Sequence, residues 1–376
     1  MPDLIALSIP LFLLLIGGEV LLARHQGLRV YRVADAVGDL GCGIGQQLVL
    51  VLAGGALLAV YAGIYERHRL LELPSAWLQW AVALLGVDFL YYWWHRASHR
   101  MTLMWAVHVV HHQSEDYNLA VALRQAILSG FTSLPFFLPL ALLGVPPLVY
   151  LAANGIDTLY QFWIHTQLVG RLGPLERVLN TPSHHRVHHA VNREYLDKNY
   201  GGILIVWDRL FGTFAEEREQ PVYGTTKPFA TFNPVWAQVA YFQELWQRAR
   251  ALPRWSDRLR VLAMPPDWGP PETGTAQAAS VRARYGREVP RGREIYALLQ
   301  LAPLIVATFL LMLRSSALHP MATVAGIGLV LFSLLSLGGL LDGRRWAWPA
   351  EVARLGTVAA VGAAWMGGVW PAALGG

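Results

Sequence analysis

Ten of the thirteen histidines in this chain fall between Leu90 and Ala190. They form three boxes, His95-Arg-Ala-Ser-His99, His108-Val-Val-His111-His112 and His184-His185-Arg-Val-His188-His189, with His165 standing apart. Imidazole is neutral near pH 7 and is the commonest metal-binding side chain. One ion takes about four to six ligands, so nine or ten imidazoles imply a pair of ions. His95 and His99 are four apart and share a helix face. His108, His111 and His112, like His185, His188 and His189, are spaced i, i+3, i+4. Each box is therefore expected to deliver two or three ring nitrogens to one point, and three converging helices would enclose two ions. His165 reads as an extra ligand, and His184 as the histidine the site needs least. His25, His68 and His319 read as structural or exposed.

The rest of the chain is oily. Of its 376 residues 54% are hydrophobic and 15% charged, against about 25% charged in a soluble domain. The expected fold is all-α, a polytopic membrane helical bundle with a histidine-rich di-metal cap. A span needs ~20 apolar residues. Apolar stretches run over Leu4–Leu22, Gln46–Ile64, Ala76–Trp94, Ile295–Leu313, Met321–Leu341 and Val352–Trp370. Another, Gly130–Ile164, is broken at Gly144-Val-Pro146-Pro147 and reads as a hairpin of two half or full spans. Asp3 stands where a signal peptide would be basic, so the first stretch reads as a retained span despite Glu19. The single cysteine, Cys42, excludes an internal disulfide and reads as a small packed residue. The net charge of +5 comes from scattered basic residues, which fits membrane-facing loops and no nucleic acid.

Arg24, Arg29 and Arg32 after the first span suggest a cytoplasmic face, and counting spans puts all three boxes there with Arg344 and Arg345. Arg67 and Arg69 fall on the other side, against the rule. Trp236, Val239, Ala240, Leu245 and Trp246 recur at helical spacing, as an interfacial helix or a core stripe would. Pro253 to Gly274 reads as a linker. The expected organisation is N-terminal transmembrane helices over 1–75, a catalytic core over 76–250, a cytoplasmic linker over 251–294 and C-terminal transmembrane helices over 295–376. No ionisable cluster marks the last three stretches, so an anchoring role comes first for them and a lipid entrance second.

Metal-bound imidazoles are oriented through their other N–H. Candidate partners are Asp88, Glu115, Asp116, Asp157, Asp197 and Asn199. Asp88 and Asp157 lie in apolar stretches, where an acid is costly unless paired, which favours a functional role. Asp197 and Asn199 could equally shape a turn. Imidazole spacing does not select among zinc, copper, iron and nickel. His111-His112-Gln-Ser-Glu115 lacks the His-Glu-x-x-His arrangement of a zinc protease. A membrane metal transporter is disfavoured because the histidines sit at span ends. A haem protein is disfavoured because haem needs only one or two axial ligands.

At these residues the chain resembles the fatty acid hydroxylase superfamily, whose pattern is HxxxH, HxxHH and HxxHH with a hydrophobic hairpin before the last box. The match falls at 95–99, 108–112 and 185–189. Asn180-Thr-Pro-Ser-His-His-Arg-Val-His-His189, Tyr195-Leu-Asp-Lys-Asn-Tyr-Gly-Gly202 and Trp207-Asp-Arg-Leu-Phe-Gly-Thr-Phe214 look most like the alkylglycerol monooxygenase branch. The resemblance implies two iron ions, dioxygen as co-substrate and a membrane lipid substrate that is hydroxylated or desaturated. In that branch a carbon next to an ether oxygen is attacked, and the hemiacetal collapses to an aldehyde. It implies an external electron donor, tetrahydropterin or a cytochrome b5 or ferredoxin system, and no fused cytochrome b5 motif is present. Within the enzyme class the alternative is a hydroxylase or desaturase of sterol-like, carotenoid or aminoacyl lipids.

Overall fold

The computed structural model describes residues 4–269, 285 and 288–366. The described residues form α-helices joined by short turns and 3-10 segments, with two isolated β-bridges and no strands. Three long helices come first: α1 (Leu4–His25), α2 (Val33–His68) and α3 (Ala76–Arg100). The histidine core continues with α4 (Thr102–His112), the hairpin α5 (Ser129–Leu142) and α6 (Pro147–Trp163), and the short α7 (Pro182–His188) and α8 (Val206–Leu210). Then follow α9 (Pro234–Ala251), α10 (Trp255–Ala263), α11 (Arg291–Arg314), α12 (Pro320–Leu341) and α13 (Ala347–Met366). Much of the expected linker, 270–284, and the end of the last expected span, beyond residue 366, lie outside the described residues.

Among the described residues, four helices are long and apolar enough to cross a bilayer: α1, α2, α11 (with the turn after it) and α12. Seven apolar stretches had suggested more. The hairpin helices are too short, at 14 and 17 residues, and α3 ends in the polar run His95-Arg-Ala-Ser-His-Arg100. At 36 residues α2 is about 54 Å long, well over the ~30 Å of a hydrocarbon core. Its first third is buried in the protein, from Ala34 to Leu48, whereas Leu52 and Val60 are half exposed farther along. The helix thus starts inside the histidine cap and runs out into the apolar zone.

The break between α5 and α6 falls where the sequence placed it. Gly144 has φ +83, and a Cβ there would lie 2.1 Å from the Leu71 carbonyl oxygen, so both backbone and space require glycine. Pro147 opens α6 at a position where its missing N–H costs nothing. This turn and the α2–α3 link, bonded by Leu70 N to Leu142 O at 2.7 Å, mark one end of the bundle. The histidines mark the other. There Glu19 of α1 accepts from Leu119 N at 2.8 Å and from the Tyr31 and Thr166 hydroxyls. Asp342, after α12, accepts from Phe232 N at 2.8 Å and from the Thr231 hydroxyl. Arg32, counted above as a loop charge, is folded into the cap against Asp116, 3.1 Å away.

The last three helices are more than an apolar anchor. Buried Glu351 and Arg354 of α13 pair with each other and with Tyr296 and Gln300 of α11 and Ser336 of α12. The sequence hid this cluster because its members are dispersed over nearly sixty positions. A core of Val37, Ile44, Leu48, Leu301, Leu334 and Leu337 joins α2 to α11 and α12. On α9, Leu245 is buried while Trp236, Val239 and Trp246 are exposed, so the helix has both a core face and an outward aromatic stripe.

Candidate metal centre

Nine of the ten histidines gather into two groups. His95, His99, His108, His112 and His188 form one, and His111, His165, His185 and His189 form the other; within each, one ring nitrogen per residue lies within 4.8 Å of all the rest. The groups adjoin, with the His112 and His189 rings stacked 4.4 Å apart.

The boxes do not each serve one point, as the sequence spacing had suggested. His108 and His112 go to the first group and His111 to the second; His185 and His189 go to the second and His188 to the first. In both HxxHH boxes the i, i+4 pair shares one face, and the i+3 residue is rotated off it by a fraction of a turn toward the neighbouring group. Each of these two helices therefore braces both groups. His165 joins the second group, as expected. His184 belongs to neither; it packs edge-on against Phe214 at 5.3 Å. Among the other three histidines, His319 caps α12, and His25 and His68 are exposed at helix ends.

The ring orientations are set by main-chain carbonyls. The Nδ1 atoms lie 2.8 Å from Tyr200 O for His95, 3.0 Å from Arg124 O for His111, 2.7 Å from Gln161 O for His165 and 2.9 Å from Lys198 O for His188. A carbonyl only accepts, so each Nδ1 carries the proton and each Nε2 presents a lone pair. His111 Nε2 and His165 Nε2 then face each other at 3.2 Å with no hydrogen between them. Two lone pairs at that distance repel unless a cation sits between them. The buried Nε2 atoms of His99 and His188 likewise have no hydrogen-bond partner. The arrangement fits a pair of metal ions. Burial keeps the rings neutral and ready to ligate: it lowers His111 to about 4 and His188 to about 3, and holds His185 and His189 well below the ordinary value, with neighbouring histidines adding to the effect at His185, His188 and His189.

The carboxylates named from the sequence act at one remove. Asp88 accepts from Ile203 N at 2.6 Å, Leu204 N at 3.3 Å and Trp207 Nε1 at 2.7 Å. Asp157 accepts from Gln161 Nε2 at 2.6 Å and faces the same segment, since a Cβ on Gly202 would lie 2.7 Å from its Oδ1 and 3.1 Å from Asp88 Oδ1. Neither is hydrogen-bonded to a histidine; Asp88 holds the segment that follows Tyr200, and Asp157 lies against it. Asn199 donates to His184 O at 3.0 Å and Ala215 O at 2.8 Å. Asp197 and Asn199 have φ of 60 and 56, a left-handed conformation that their short polar side chains tolerate. This turn directs the Lys198 and Tyr200 carbonyls to His188 and His95. Turn-shaping and histidine-orienting are here one task.

Sequence reasoning missed Arg124 and Asp208. Arg124 is fully buried, donates to Val110 O at 2.7 Å and pairs with Asp39 at 3.0 Å, while its carbonyl holds His111. Asp208 accepts from Tyr200 N at 2.8 Å, Gly201 N at 2.7 Å and Thr213 Oγ1 at 2.6 Å, fixing the turn from beneath. Asp39 lies before the apolar stretch Gln46–Ile64, so the signal used for Asp88, an acid inside such a stretch, did not mark it. Arg186, beside the third box, pairs with Glu217 at 2.7 Å and donates to Thr166 O and Val169 O, which gives it an internal role.

A family model described as fatty acid hydroxylase matches residues 80–213, the segment that carries every ligand above. The chain is 39% identical to an alkylglycerol monooxygenase of Homo sapiens and 40% identical to one of Danio rerio, each over 94% of this chain and 81% of the relative. It is 30% identical to an ornithine lipid hydroxylase of Rhizobium tropici over 38% of this chain and 44% of the relative. No solved structure matches it. The paired histidine groups, the hairpin between the second and third boxes and a likeness extending into the C-terminal helices have one common explanation: the chain belongs to the fatty acid hydroxylase family, in its alkylglycerol monooxygenase branch.

Proposed function

We propose that this protein is an integral membrane monooxygenase that binds two iron ions through its nine gathered histidines and uses dioxygen to hydroxylate a lipid C–H bond next to an ether oxygen. The observation that carries the metal reading is the set of Nε2 lone pairs converging in two adjoining groups. The ether-lipid reading rests on the extent of the likeness. Alkylglycerol monooxygenases match over 94% of the chain, whereas the ornithine lipid hydroxylase matches over 38%.

Bound irons supply the redox chemistry that activates dioxygen. The protein's own groups hold and shield them. The carbonyls of Tyr200, Arg124, Gln161 and Lys198 fix the tautomers of four ligands. Burial of eight of the nine residues, with Tyr117 against His165 and His189, and Trp105 against the half-buried His99, keeps bulk water from the centre. In the net reaction one oxygen atom enters the C–H bond. The other leaves as water, with two electrons from an external donor of the tetrahydropterin, cytochrome b5 or ferredoxin type and two protons from a pterin donor or from solvent. The resulting hemiacetal breaks its C–O bond to glycerol, its hydroxyl proton passes to the glycerol oxygen, and a fatty aldehyde remains. The histidine end of the bundle faces the cytoplasm in this reading, where soluble reductants are available. The test is turnover of 1-O-hexadecylglycerol by protein in lipid nanodiscs with a tetrahydropterin. Oxygen-dependent release of hexadecanal, absent from His111→Ala, is expected; consumption of oxygen without aldehyde would overturn the ether reading.

A further inference from the structure

An apolar cavity opens among α1, α2, α11 and the 3-10 turn Val121–Leu123, with about 580 Å³ of empty space counting its open front. Its walls include Ile9 and Phe12 of α1, Leu40 and Ile44 of α2, and Ile305 and Thr308 of α11. Its polar side chains are turned to internal partners. The Thr308 hydroxyl donates to Leu304 O at 2.8 Å, Gln125 Nε2 to Ala122 O at 3.0 Å, and Gln47 Nε2 to Gln46 Oε1 at 3.3 Å. What remains facing the space is hydrocarbon. The three helices that frame it are also three of the four long enough to span a membrane, so its open front meets lipid tails.

The inner end touches the scaffold of the four-histidine group. Leu123 and Gln125 line the cavity, and Arg124 between them offers the carbonyl that holds His111. Phe12 lines it too and stacks at 4.3 Å on Phe162, three residues before His165. Along α1 the lining runs from Phe12 to Ile5, away from Glu19 at the histidine end, a distance of roughly 10 Å. Ile305 and Thr308 stand toward the far end, well beyond the start of α11, where Arg293 reaches Leu340 O close to the cap.

We propose that this cavity holds the hydrocarbon tail of the lipid substrate. The reacting carbon then approaches the four-histidine group from the His111–His165 side, and α11 sets which chain lengths are accepted. This rests on the lipid monooxygenase reading and gives the C-terminal helices a part in selection, beyond anchoring.

The experiment fills the far end of the cavity. Thr308→Trp is compared with Val358→Trp, a change on the exposed face of α13 that is outside the cavity lining. Both are assayed in nanodiscs on decyl and hexadecyl glycerol ethers. Displacing two methylenes lowers kcat/KM for the hexadecyl ether about tenfold relative to the decyl ether. The expected result is that loss in Thr308→Trp and the wild-type ratio in Val358→Trp; equal ratios in the two variants would overturn the proposal. A second readout needs no turnover: wild-type protein is photolabelled with a hexadecyl glycerol ether carrying a terminal diazirine. Label in the peptides of Ile5–Leu13 and Ile305–Thr308, displaced by excess unlabelled ether, is expected. Label confined to outward helix faces, or not displaced, would overturn it. Wild-type protein inactive on every glycerol ether would overturn the ether reading instead, leaving the labelling to decide the cavity.

Discussion

The roles of single histidines follow from which carbonyl each ring meets and which neighbour it faces. His184 faces no other histidine nitrogen, so His184→Ala should keep about two metals per chain, measured by elemental analysis. His189→Ala removes a member of the four-histidine group and should lower metal content toward one. Asp208 tests the turn beneath the site. In Asp208→Asn one acceptor is lost to the Tyr200 and Gly201 amides or to the Thr213 hydroxyl. Leaving such a group unsatisfied costs about 1–3 kcal/mol, and loosening His95 through Tyr200 should weaken metal affinity about 10–100-fold in a chelator competition. Unchanged affinity would show that the turn is held without Asp208. At this scale the ligands were legible in the sequence, because three boxes at helical spacing are a strong signal. Their orienting partners were not. Main-chain carbonyls such as Tyr200 O and Lys198 O have no residue type, so no composition or spacing announces them.

Among the elements, α4 and α7 each reach both histidine groups, and α2 carries Asp39, one half of the ion pair that supports one of them. Arg124 and Asp39 are both buried, and removing one charge strands the other. Arg124→Met should therefore destabilise the protein by about 3–5 kcal/mol, read as a lower midpoint in thermal unfolding in detergent. Arg124→Met with Asp39→Leu should recover much of that loss; no recovery would mean that the bonds from Arg124 to Val110 O and Gln113 matter more than its charge. The hairpin was readable from Gly144-Val-Pro-Pro147 because that tetrapeptide stops one helix and starts the next. The splitting of each HxxHH box between two groups was not readable. It depends on where the other helices stand, and a single helix's periodicity says nothing of that.

For the molecule as a whole, the C-terminal helices are built into the cap. Asp342 bonds Thr231 and Phe232, and Gly338 approaches Asn233 so closely that a Cβ would lie 2.5 Å from its Cα. Gly338→Leu should separate α12 from the loop before α9 and lower the unfolding midpoint, with a cost of ~1–3 kcal/mol typical of overpacking. A midpoint within error of the wild type would mean that this contact yields freely. Hydropathy showed these helices as apolar lengths and missed their coupling to the core, since that coupling runs through dispersed residues such as Asp342, Glu351 and Arg354. In the proposed function, nine neutral imidazoles in two adjoining groups hold a pair of redox metals. The direct measurement is metal content together with Mössbauer spectroscopy on protein purified without oxygen from cells grown with the iron isotope. About two irons per chain, magnetically coupled after oxidation, is the predicted result; a single iron, or zinc in both groups, would contradict it.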